Sequence, residues 1–214
     1  MSSAFQIVFE GLSARTSGLV GRGLPELEVV VDNPLLLPEA QRFLFNMAAE
    51  FEKGGVRLFA GCEVQCGYWM VRFDEMVPGV LTAVEPDVQN AGLVLGASLT
   101  LTYWRDQQHT CREYGAEFDP PFLSSGIACS KGVLEEGLPV GGARYRYTGE
   151  MSGWFLSTEL YDTDESVAVH HAHHVTAARP ELARYLALPP GFRFDHGATS
   201  RAWFDVDLAA EAPW

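Results

Sequence analysis

The chain has 214 residues, 47% apolar and 20% charged, with a formal net charge of −13 and a pI near 4.8. That apolar share supports a real core and excludes disorder, and the length suits one large domain or two small ones. The acidic balance argues against nucleic acid as a partner, because phosphate affinity comes from Lys and Arg, and it suits a basic protein whose approach such a field would steer.

No apolar run reaches the roughly 18 residues that a membrane span needs. The opening Met-Ser-Ser-Ala-Phe-Gln-Ile also lacks the basic region and apolar core of a leader. Both features point to a cytoplasmic protein with no membrane partner. Cys62, Cys66, Cys111 and Cys129 are sparse for a secreted scaffold and read as reduced, buried thiols. The Cys62 to Cys66 spacing is loose for zinc, and the other two cysteines form no second knuckle.

Residues 5–9 and 27–31 are short β-branched and aromatic runs that read as strands, joined by a connection rich in Gly, Ser and Arg. After Asn33-Pro34 a helix is well marked. Pro38 and Glu39 suit its first turn, Leu37, Ala40, Leu44, Met47, Ala48 and Phe51 share one face, and Gly54-Gly55 ends it. Strands are expected at 56–60, 68–73, 80–84 and 93–95. Residues 98–114 show both strand alternation and helical spacing, and the polar run WRDQQHTCREY favours a helix. Residues 118–142 form a connector rich in Pro and Gly with one short strand at 127–130. Strands at 144–147 and 154–157 follow, then a helix from Ser166 to Pro180, a second short helix over 180–187, and strands at 192–194 and 202–206. The expected class is α+β, with mixed or antiparallel sheets and packed helices. It falls into an N-terminal part, 1–140, and a C-terminal part, 141–214, which can share an interface.

The C-terminal part is the most informative. Four of six histidines lie in His170-His171-Ala172-His173-His174, after an acidic loop containing Asp162, Asp164 and Glu165. In a helix, His170 and His174 face the same way and could hold a divalent metal with Asp164, which would make the chain a metal-dependent enzyme or sensor. The same histidines could instead serve an interface, and the carboxylates could cap the helix or bind a basic partner. On a strand, Trp154 and Phe155 take opposite faces, so one ring can serve as an outward anchor unless both enter the core between sheet and helix. Nothing supports nucleophile chemistry: there is no GxSxG, no P-loop, no GxGxxG between strand and helix, and no HExxH.

Ser152-Gly153-Trp154-Phe155, an acidic linker, a helix, Arg179-Pro180-Glu181-Leu182 and Leu186-Ala187-Leu188-Pro189-Pro190-Gly191 follow one another. In order and spacing they resemble the immunity-protein-33 domain of bacterial toxin-immunity proteins. Gly67-Tyr68-Trp69, Glu85-Pro86-Asp87 and the Trp104 to Tyr114 segment are similar to an N-terminal extension found in some of these proteins. The resemblance implies a cytoplasmic antidote to a polymorphic toxin, without catalytic residues or a cofactor. It also implies a cognate toxin as partner and names none; the acidic charge suits one that is basic or acts on a phosphate-bearing substrate. Trp154, Tyr161, Asp162, Asp164, Glu165, His170, His171 and His174 are the expected binding residues.

Overall fold

A computed structural model describes residues 5–55, 57–88, 90, 92–147, 149–162 and 167–211. The chain divides into two compact units, one of Met1–Cys66 and Met70–Thr102, the other of Gly67–Trp69 and Tyr103–Trp214.

In the first unit, β1 (Gln6–Glu10), β2 (Ser13–Ser17) and β3 (Glu26–Val30) form an antiparallel meander. The strand β6 (Val80–Pro86) joins β3 in parallel, and β5 (Trp69–Val77) joins β6 antiparallel. β4 (Cys62–Cys66) lies at the far edge, and β7 (Leu93–Leu95) pairs with the end of β6. Helix α1 (Leu37–Glu52) buries Ala40, Phe43, Leu44 and Ala48, and Phe43 stacks on Phe73 at 6.2 Å.

Two expectations need correction in this unit. Residues 13–17 form a strand although Ser-Ala-Arg-Thr-Ser looks like a linker, because Ala14 and Thr16 alternate inward and the Thr16 hydroxyl donates to the buried Glu26 carboxylate at 2.6 Å. No strand forms at 57–59, and Val56 lies outside the described residues; the strand is β4, further along. Cys62 and Cys66 sit at its two ends, on one face but about 13 Å apart at strand rise, too far to share an ion.

Helix α2 (Ser98–Glu113) resolves the ambiguous segment. Thr100, Leu101, Tyr103, Trp104, Gln107, Thr110 and Cys111 are buried at helical spacing despite the polar composition. A tertiary cap starts it: the Glu85 carboxylate on β6 accepts from the Leu99 and Thr100 amides at 3.0 and 2.7 Å and from the Thr100 hydroxyl at 2.7 Å. Burial pushes the Glu85 pKa up, against the lowering effect of these hydrogen bonds.

The second unit is built on a six-stranded sheet of β8 (Gly126–Cys129), β9 (Val140–Arg144), β10 (Met151–Ser157), β11 (Ala168–His171), β12 (Phe192–His196) and β13 (Arg201–Phe204). Its order is β11-β8-β10-β9-β12-β13, with β8 and β10 parallel and the other pairs antiparallel. Helix α3 (Ala172–Ala178), a 3-10 helix at Pro180–Tyr185 and α4 (Val206–Ala210) complete it. The fold is α+β with two mixed sheets, as expected.

Here β9 begins before the expected 144, its Gly141 and Gly142 being covered by β10 and β12 on either side. The helix expected from Ser166 begins only at Ala172, because residues 168–171 pair with β8 at the sheet edge; Ser166, Asp164 and Glu165 lie outside the described residues. The unforeseen α4 is capped by Asp205, whose carboxylate accepts from the Asp207 and Leu208 amides. Among the described residues no helix is long and apolar enough to cross a membrane.

Candidate functional site

The residues that carry the resemblance build the scaffold of the second unit. Ser152 donates to the Gly126 carbonyl at 2.8 Å, and Gly153 follows at φ 80° where β10 shifts register. A Cβ at Gly153 would run into the Tyr145 carbonyl, so only glycine fits. Trp154, 1% exposed, then points inward and donates its indole N–H to the Leu186 carbonyl at 3.1 Å. Arg144, buried beside it, donates to the carbonyls of Ser152, Asp119 and Leu188. Burial lowers its pKa to about 10, so it stays cationic at neutral pH. Arg179 follows the same logic. Its guanidinium donates to the carbonyls of Val133, Glu135 and Leu138 at 3.1, 2.7 and 2.9 Å and to Glu181 at 2.6 Å, fastening the loop ahead of β9.

With Trp154, Leu156, Ile127 and Phe194 turned inward, strand alternation turns Phe155, Ala128, Ala143, Arg193 and Trp203 to the other face. This face is aromatic and only partly exposed. A cleft of about 310 Å³ opens on it, lined by Tyr145, Tyr147, Met151, Phe155, Tyr161 and Val167 among others. Phe155 meets Tyr161 edge-on at 5.3 Å. A second hollow of about 280 Å³ shares Tyr145 and Phe155 and continues to Arg193 and Trp203. The cations of this face are matched: Arg193 pairs with Asp205 at 2.6 Å, and Arg201 pairs with Asp195 at 2.7 Å while lying over Trp203. The result is an aromatic surface on which Arg193 and Arg201 are neutralised by carboxylates.

The histidine run straddles an element boundary. His170 and His171 end β11 on opposite faces, while His173 and His174 lie in the first turn of α3. The expected pairing of His170 with His174 along one helix face is therefore absent, and His170 lies in a separate recess with Cys129, Lys131 and Glu135. His171, His173 and His174 come together instead, each offering a ring nitrogen within 4.8 Å of the others. The His173 and His174 ring centres are 4.0 Å apart. The His174 pKa is lowered by loss of solvent and then by its neighbouring imidazoles.

Of the expected binding residues, Tyr161 lines the cleft and Asp162 beside it is exposed. Trp154 faces the core, so the outward ring of that pair is Phe155. His171 and His174 are exposed; Asp164 and Glu165 are outside the described residues. Sequence reasoning missed Tyr145, Tyr147, Val167 and Trp203, which come from three segments and are brought together only by the fold. Alternation signalled that one of Trp154 and Phe155 faces out without saying which.

The built features of this unit coincide with a known domain. Residues 106–205 match the family model of the Imm33-like domain, whose members form an immunity-protein family. No curated protein and no solved structure gives a significant match.

Proposed function

We propose that the chain is a cytoplasmic immunity protein that binds a cognate bacterial toxin and blocks it without chemistry of its own. The observation that carries this reading is the aromatic face around Phe155 and Tyr161, displayed by a domain that matches an immunity family. Interface centres are enriched in Tyr, Trp and Phe and depleted of free charge, and this face has both properties. The toxin would set its active site or substrate surface against the face. Asp162 and the net charge of −13 would attract the cationic groups of a toxin that is basic or acts on a phosphate-bearing substrate. The C-terminal part, from about residue 141, carries most of the contact. His171 and His174, both exposed, extend the contact beyond the cleft. Co-expression with the neighbouring toxin gene tests this: the intact chain is expected to rescue growth, and Phe155→Asp to lose rescue at equal protein level. Killing in the presence of the intact chain would refute it.

A further inference from the structure

The trio formed by His171, His173 and His174 has features that a surface cluster of histidines does not need. The sequence run is interrupted by Ala172, which is fully buried. That burial fixes the turn between β11 and α3 and sends the three flanking rings to one side. His173 is held by a directional bond: its Nδ1 lies 3.0 Å from the Leu123 carbonyl, and its backbone amide donates to the same carbonyl at 3.1 Å. A carbonyl only accepts, so Nδ1 carries the proton, and in the neutral ring Nε2 keeps its lone pair. This is how metal-bound imidazoles are oriented, with the second nitrogen donating to a backbone oxygen.

We propose that His171, His173 and His174 form a binding site for a single divalent transition metal of the zinc class. Three neutral imidazoles suit that ion, and three protein ligands leave a fourth position for water. Bonds of about 2.0–2.1 Å in a tetrahedron set the nitrogens about 3.3 Å apart. Closing from 4.8 Å requires small rotations of His171 and His174, both exposed, about the anchored ring of His173. The ion fastens the end of β11 to the first turn of α3. His171 pairs with Gly126 in the sheet, next to Met151 of the aromatic cleft, so the ion stiffens one margin of that face. The metal site does not rest on the toxin reading, although His171 and His174 are shared with the contact proposed there.

The test is titration of the full chain, purified without a histidine tag, with ZnCl2 by calorimetry, repeated with Co2+ by visible absorption. One ion per chain is expected, with the absorption of a four-coordinate Co2+ centre. His171→Ala and His174→Ala, both exposed positions that leave folding intact by circular dichroism, should each weaken binding at least about tenfold. His170→Ala, on the opposite face, should leave it unchanged. Absence of stoichiometric binding, binding that survives both substitutions, or equal loss with His170→Ala would overturn the site.

Discussion

Replacing Arg179 with Met removes a cation that is 3% exposed and ties together three carbonyls of the 133–138 loop. Hydrogen bonds to charged groups contribute roughly 1.5–3 kcal/mol each, which would sum to about 4.5–9 kcal/mol if additive. They are not additive here: Glu135 is exposed and its freed carbonyl regains water, and the buried cation no longer has to be desolvated, whereas the carbonyl of the fully buried Val133 is left without a partner. A net loss of about 3 kcal/mol follows. For a chain of this length that lowers Tm by roughly 6–12 °C. Arg179→Lys should recover less than half, because one ammonium cannot reach three carbonyls and Glu181 from a single position. Urea unfolding followed by tryptophan fluorescence, together with a thermal melt, reads both variants. If Arg179→Met unfolds within about 1 kcal/mol of the parent, or Arg179→Lys matches the parent, the guanidinium does not hold the loop.

Other consequences of the scaffold are equally open to measurement. Gly153→Ala forces a side chain into the Tyr145 carbonyl at a left-handed φ and should cost about 2–3 kcal/mol in the same unfolding assay, whereas Gly137→Ala, strained by its φ alone, should cost less. Burial raises the thiols of Cys66 and Cys129 to about 12 and Cys111 to about 11, so these three should resist a thiol reagent at pH 8 until denaturant is added; rapid labelling of the native protein would contradict their burial. Burial pushes Glu181 up, but its hydrogen bond to Arg179 outweighs this and holds it below 4.5; the Arg193 hydrogen bond holds Asp205 below 3.8. Folded values below unfolded ones mean stability that is present above those ordinary values and lost as pH falls through the lowered ones. Denaturant midpoints should therefore drop as pH falls below about 4.5, less steeply in Arg179→Met.

Much of this architecture was legible where one periodicity dominated. The α1 stripe, the β3 and β6 runs, and the break at Pro180 are local signals, and the structure follows them. The failures occur where tertiary partners decide. β2 is polar in sequence and becomes a strand because Glu26 answers Thr16 from the neighbouring strand. Residues 168–171 have helix-compatible composition but complete the edge beside β8, and that single change moves His170 away from His174. Similarly, Arg144 is an ordinary letter in the sequence and Arg179 only the start of a motif, and the fold alone shows both as clamps on carbonyls from distant segments. The motif residues were found by resemblance, yet most serve the scaffold; the solvent-facing aromatic set has no linear signature.

The central claim, that the face around Phe155 binds a toxin, is tested most directly by titrating the purified chain against the toxin domain that it protects cells from in co-expression. A one-to-one complex is predicted, with Kd raised at least about 30-fold by Phe155→Asp, the equivalent of losing one hot spot of about 2 kcal/mol, and no change in the melting of the free protein beyond a few degrees. Failure to form a complex, or a complex whose Kd is unaltered by Phe155→Asp and Tyr161→Ala together, would contradict it.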